Sequence, residues 1–270
     1  SGENAGGSVH GGASYDGGGP LLRKPAPPYE GRRAWIADAK EYHGPAEEVV
    51  TRCLNMCESV GLTVNVCLHG APGGQSDQQA CGFSDRDWVP SMWDVDGSVR
   101  CVEHIARRWG RHPAFDAITV INEPSSDIPL PTLLGFYERA YEAARRHTTA
   151  TVVMPCYQRP WHDFENAGFP PQHFDNVHFD CHLYHCFGDG WQRETTLDGM
   201  LESARTGDGH WPCLAHLPTP AIVSEWSLRL PVWDSSFPVA NSLNAMDEAK
   251  QNEVYRQIGR GQIRQFAERG

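Results

Sequence analysis

Two glutamates stand out by position. Asp116 to Pro124 reads D-A-I-T-V-I-N-E-P, a β-branched run that closes on Asn122, Glu123 and Pro124. Ala221 to Ser227 reads A-I-V-S-E-W-S and carries Glu225 near its end. Short apolar runs bounded by turn residues suit strands covered on both faces. The C-terminal ends of parallel strands are where α/β barrels and open α/β sheets place their chemistry. A carboxyl pair held there can divide the work, one group neutral as proton donor and the other ionised as nucleophile. A lone Glu before Pro is more often a turn residue, and it is the second carboxylate at an equivalent strand end that reverses this reading for Glu123.

Positioning the pair requires a regular scaffold, and the chain supplies one from Tyr29 onward. Glu47 to Val60 puts Val49, Val50, Cys53, Leu54 and Cys57 on one helical face, with Gly61 placed to close the helix. A strand over Leu62 to Leu68 then runs into His69-Gly-Ala-Pro-Gly-Gly-Gln75, a loop too rich in turn residues for any regular element. Asp96 can cap a helix with Val99, Val102, Ile105 and Trp109 on one stripe and Gly110 at its end. After the Glu123 strand, a helix over Pro131 to Arg146 and a strand over Thr149 to Cys156 follow, then an aromatic loop with Trp161 and Phe164. A strand over Asn176 to Tyr184, a helix near Thr195 to Ala204, the Glu225 strand and a long terminal helix complete the series. Five strands alternating with helices predict a parallel sheet, in barrel or doubly wound form. Residues 1–28, dominated by Gly, Ser and Pro, read as a flexible leader, and residues 29–270 as the folded domain.

The bulk properties narrow the partners. At 270 residues and 30.0 kDa the chain can bury a substantial core. A net charge of −11 and a pI near 5.6 weigh against nucleic acid and anionic membranes, which recruit basic patches, and favour a neutral substrate. No apolar run approaches the roughly 18 residues of a membrane span. The chain begins at Ser1 with neither Met nor a signal-like apolar region, which reads as a processed, trimmed or partial form. Of nine cysteines, Cys67, Cys156 and Cys181 fall inside strand-like runs and read as small core hydrophobes, while Cys53 and Cys57, one turn apart, line one helix face. The Cys181-His182-Leu183-Tyr184-His185-Cys186 cluster invites a zinc site, but strand alternation splits its side chains between two faces, and zinc needs four convergent ligands. Neither a metal nor a cofactor is expected.

Strands ending in Asn-Glu-Pro and Ser-Glu-Trp-Ser, preceded by a His-Gly-Ala-Pro-Gly loop, resemble the retaining β-glycosidases of glycoside hydrolase family 5, and most of all their exo-β-1,3-glucanase branch. The likeness covers most of Tyr29 to Gly270, notably Gly61 to Gln75, Ala117 to Pro124, Asp180 to Phe187 and Val223 to Ser227. It implies a (β/α)8 barrel acting on a β-1,3-glucan or related β-glucoside outside the cell. Retaining hydrolysis needs two carboxyl groups roughly 5 to 5.5 Å apart. By resemblance Glu123 is the acid/base and Glu225 the nucleophile, with burial and the neighbouring charge expected to keep Glu123 protonated. Asn122 would bond the sugar 2-hydroxyl, His182 and Tyr184 match the His and Tyr beside the nucleophile, and His69 matches the His of the third-strand loop. Trp161, Trp191, Trp211, Trp226 and Trp233 could be sugar platforms or plain packing. Phe83 and Phe187 fall near the aromatic clamp of the glucanase branch.

The resemblance also predicts parts with no counterpart in this chain. Strands 1, 2 and 8 of the barrel are not evident, nor is the Arg that supports the nucleophile or the Trp that floors the substrate site. An open barrel exposes strand edges and half its interior, costing on the order of tens of kcal/mol at about 25 cal/mol per Å². Three arrangements would cover the gap: a longer native protein, another chain completing the sheet, or a rebuilt scaffold. The contrasting functional reading is a catalytically inactive descendant acting as a carbohydrate-binding or assembly subunit.

Overall fold

The computed structural model describes residues 45–78, 81, 87–156, 159–187, 194–206 and 220–269. The expected leader, Phe83, Trp191 and Trp211 lie outside these residues.

The described chain alternates helix and strand as the sequence predicts, except that the expected aromatic loop with Trp161 and Phe164 forms a short helix. Helix α1 (Pro45–Ser59) leads to β1 (Val64–Cys67), α2 (Val95–Trp109) to β2 (Phe115–Thr119), and α3 (Leu130–Arg145) to β3 (Thr151–Pro155). A short α4 (Trp161–Asn166) precedes β4 (Val177–Leu183), α5 (Leu197–Thr206) precedes β5 (Ala221–Trp226), and α6 (Pro238–Asn244) and α7 (Glu248–Arg269) close the chain. All strand pairs are parallel and the order is β1-β2-β3-β4-β5. In a doubly wound sheet the order reverses at a switch point. Here each strand is added on the same side as the last, which is the winding of a (β/α) barrel. The fold is therefore a partial (β/α) barrel of five strands, a curled half-barrel with helices on its convex side.

Strand alternation decides what each face does. Ile118, Val152, Met154 and Phe179 point into the main apolar core beneath α1 to α4. The next residues along each strand, among them Thr119, Asp180 and His182, face the concave side. A second core joins α5, α6 and α7 through Met200, Leu230, Val239 and Ile258. Between them, Cys181 and Leu183 of β4 pack with Val223 and Phe266.

Four local expectations need correction. Helix α2 is capped by Asp94, not Asp96: the Asp94 side chain accepts from the Gly97 amide at 2.8 Å, and Asp96 lies within the first turn, paired with Arg139. An added Cβ at Gly97 would lie 2.4 Å from the Asp94 carboxylate, so that cap requires the missing side chain. On α1 the inward face is Val50, Leu54 and Cys57, while Val49 and Cys53 point to solvent; a helical stripe that included both sets was one residue too wide. Cys67 is not a core residue but half-buried on the concave face. Strand β2 ends at Thr119 rather than running to Pro124: the Val120 amide still donates to Val153 O of β3 at 3.1 Å, and from Asn122 on the backbone is bound by the loop after β1, through Leu68 O and Gln75 O.

Both edges of the sheet show apolar side chains. Beside β1, Val49, Met56, Val60 and Leu62 are 50% to 69% exposed, and beyond β5 Trp233 and Ile263 are 47% and 59% exposed. Among the described residues no helix is long and apolar enough to cross a membrane.

Candidate active site

The C-terminal ends of β2, β4 and β5 converge on one cluster. Glu123 sits just past β2 with φ of 37°, a backbone region that non-glycine residues rarely occupy and that the following Pro124 disfavours further. Its neighbours impose it. The Asn122 amide donates to Leu68 O at 3.1 Å and the Ser125 amide to Gln75 O at 2.9 Å. The fully buried Gln75 side chain donates to Asn122 O at 2.7 Å and His69 O at 2.9 Å while accepting from the Ala71 amide at 3.0 Å. The Gly-rich loop can come this close because Gly73 has φ of 80° and lies where an added Cβ would be 1.9 Å from Met92 O. Such strained residues cluster at functional sites.

His182 is the hub. Its side chain is 3% exposed; Nδ1 lies 2.7 Å from Glu123 Oε1 and 3.5 Å from Glu225 Oε2, and Nε2 lies 3.2 Å from Ser224 Oγ and 3.4 Å from Asp180 Oδ2. Burial alone would lower the imidazole pKa, but hydrogen bonds to Asp180 and Glu123, with the charges of Asp180 and Glu225, overcome this and hold it up to about 10. The ring is thus an imidazolium at neutral pH, donating from both nitrogens. Tyr184 donates its hydroxyl to Glu225 Oε2 at 2.8 Å, and burial with that carboxylate raises the phenol pKa. Cys67 faces the same carboxylates from β1; burial and the charges of Asp180, Glu225 and Glu123 push its thiol up to about 12, so it stays neutral.

Glu123, His182 and Glu225 each offer an atom within 4.8 Å of the others. Three such groups can in principle take up a cation. Both His182 nitrogens already face acceptors, so the structure shows the three side chains joined as a hydrogen-bond network.

The residues singled out from sequence fall into two groups. Glu123, Glu225, Asn122, His182 and Tyr184 come together, with His69 joined through Asn122 Nδ2, 3.5 Å from its Nε2. Phe187, half exposed, sets its ring edge-on to Tyr184 at 5.3 Å. Trp161 does not join them: it is buried as the first residue of α4, stacked on Phe164 at 5.5 Å and edge-on to Phe179 at 4.6 Å. Trp226 points to the helix side, 5.5 Å from Phe266. Trp161 is thus core packing, whereas Trp226 is 37% exposed on the face away from Glu225. Gln75, Asp180 and Ser224 were not singled out. The signal for Asp180 was its alternation with His182 and Tyr184, which puts all three on one strand face.

The chain has relatives in sequence and in fold. It is 28% identical over 162 residues to a glucan 1,3-beta-glucosidase of Pichia angusta, covering 57% of this chain and 37% of that protein. It is 27% identical over 197 residues to a glucan 1,3-beta-glucosidase of Yarrowia lipolytica, covering 68% and 44%. In sequence the chain resembles the family 5 glycoside hydrolases. It spans less than half the length of these two relatives. A beta-glucanase from Saccharophagus degradans shares the fold at a TM-score of 0.50 and 11% identity, over 80% of this chain and 60% of that one. No family model matches the chain.

Proposed function

We propose that the protein is a retaining glycoside hydrolase that cleaves β-glucosidic bonds in a β-1,3-glucan or related β-glucoside. The observation that carries this reading is the approach of Glu123 and Glu225 to within 4.8 Å from the ends of two strands, close to the separation of about 5 to 5.5 Å that double displacement needs. Glu225 attacks the anomeric carbon while Glu123 protonates the departing glycosidic oxygen, leaving a glucosyl ester on Glu225. Glu123, now a carboxylate, takes a proton from water as that water attacks the anomeric carbon and frees Glu225. His182 occupies Glu123 Oε1, which leaves Oε2 for the transferable proton. Tyr184 orients Glu225 through its hydroxyl. Asn122 is the donor for the sugar 2-hydroxyl, His69 its neighbour, and Phe187 the exposed aromatic flank. The names of the relatives support a glucan as substrate.

Hydrolysis of laminarin or an aryl β-glucoside, followed by proton NMR, tests this: the first-formed sugar keeps the β configuration, and Glu225→Gln abolishes turnover. Inversion would sink it. The apolar side chains exposed on α1 beside β1 favour a second reading, an assembly or carbohydrate-binding subunit whose sheet edge is covered by further protein. Measurable turnover by the 270-residue chain alone is incompatible with that reading.

A further inference from the structure

Strands β4 and β5 do not pair evenly. Asp180 is opposite Ile222 and His182 opposite Glu225, so two steps along β4 are matched by three along β5. The extra residue is a β-bulge, a device common beside active sites because it re-aims a side chain. Its consequence follows from the period of two. In an even register Ser224 would face His182, and Glu225, one residue on, would point to the helices. The bulge brings Glu225 round to the concave face, within reach of His182 and Tyr184.

A bulge interrupts the ladder and leaves backbone groups needing other partners. Here the Ser224 amide donates to Asp180 Oδ1 at 3.0 Å, and the Ser224 hydroxyl to Asp180 Oδ2 at 2.5 Å. The same hydroxyl oxygen lies 3.2 Å from His182 Nε2. The Asp180 side chain is fully buried. A buried carboxylate is costly unless bonded and paired, and this one is both.

We propose that Asp180 is the positioning residue of the site: its carboxylate ties off the bulge that turns Glu225 inward and, directly and through Ser224, fixes the His182 ring on Glu123. This rests on the reading of Glu123 and Glu225 as the reacting pair. Asp180 touches neither carboxylate; it acts through the register of β5 and the orientation of one imidazole. The groups facing His182 are Glu123 from the end of β2, Asp180 from β4 and Glu225 from β5, while Cys67 of β1 and Tyr137 of α3 also sense the Asp180 charge. Replacing Asp180 with Asn keeps one acceptor for the Ser224 amide but removes the charge and turns an NH2 toward a ring that is itself a donor.

The test uses Asp180→Asn and Ser224→Ala in the full chain, read by aryl β-glucoside kinetics and by nitrogen-15 NMR of the His182 ring. Asp180→Asn lowers kcat about 100-fold with KM within about 3-fold, as expected when a reacting group is misplaced rather than removed. It also moves the His182 titration and the alkaline limb of kcat to lower pH, and speeds exchange of the Ser224 amide. Ser224→Ala keeps the amide bond and loses the bridge, so kcat falls about 10-fold and the Nε2 resonance shifts. A folded Asp180→Asn protein with wild-type kcat and wild-type His182 titration overturns the proposal. Should Asp180→Asn fail to fold, an unchanged rate and an unchanged Nε2 resonance in Ser224→Ala overturn it instead. If the wild-type chain cleaves no β-glucoside, the His182 titration and the Ser224 amide exchange still decide the positioning claim, and only the hydrolase reading falls.

Discussion

Gln75→Leu removes the clamp that holds the Glu123 backbone, and its cost can be worked from three contacts. The substitution keeps the side-chain volume roughly unchanged, so no large cavity opens and the loss is one of hydrogen bonding. Asn122 O, buried against the loop, loses its donor and cannot be rehydrated there, a penalty of about 1–3 kcal/mol. His69 O and the Ala71 amide lose partners too, but His69 is exposed, so water replaces part of that loss. The total is about 3–5 kcal/mol on this scale. Glu123 is also released from a φ that only its neighbours enforce, and a shift of about 1 Å is worth about 100-fold in kcat. Urea unfolding followed by tryptophan fluorescence, with aryl β-glucoside turnover on the same samples, measures both effects. A Gln75→Leu protein within about 1 kcal/mol of wild type would refute the clamp argument.

Two further outcomes follow from the same network. Tyr184→Phe removes the hydroxyl bonded to Glu225, a charge-assisted bond of about 1.5–3 kcal/mol, so kcat/KM falls roughly 10- to 100-fold with the fold intact; an unchanged kcat/KM removes Tyr184 from the site. His182 carries a folded-state pKa of about 10 against an ordinary value of 6.5, so the folded chain holds its proton more tightly than the unfolded one. Its contribution to stability is full below about pH 6.5 and is lost as pH rises to about 10. Urea midpoints across that window fall with pH in the wild type and flatten in His182→Gln; parallel curves contradict the charge assigned to His182.

The elements that periodicity could reach were legible in the sequence. The five strands are each a short apolar run, and α2 and α3 each carry a clear buried stripe, so their order and class followed from residues alone. What sequence could not resolve were features set by one-residue geometry. The bulge in β5 leaves no mark in A-I-V-S-E-W, yet it decides which way Glu225 points. Asp94 and Asp96 are equally good caps by type, and only the backbone at Gly97 selects the first. Cys67 read as core because its strand is apolar; the concave face of a half-barrel differs from the interior of a closed sheet. Trp161 is an aromatic in a turn-rich segment whichever role it plays, and only tertiary contact with Phe164 and Phe179 assigns it to packing. The convergence of Glu123 and Glu225 was legible because two carboxylates recur at equivalent strand ends, whereas Gln75 and Asp180 act through backbone groups and register, which a sequence does not display.

The central claim is that Glu225 forms a covalent bond to the sugar. Incubating the chain with a 2-deoxy-2-fluoro-β-glucoside bearing a good leaving group, then digesting it for peptide mass spectrometry, tests this directly. The account predicts one fluoroglucosyl adduct on the peptide containing Glu225, absent from Glu225→Gln. Turnover of β-glucosides with no adduct, or an adduct on another residue, would contradict it.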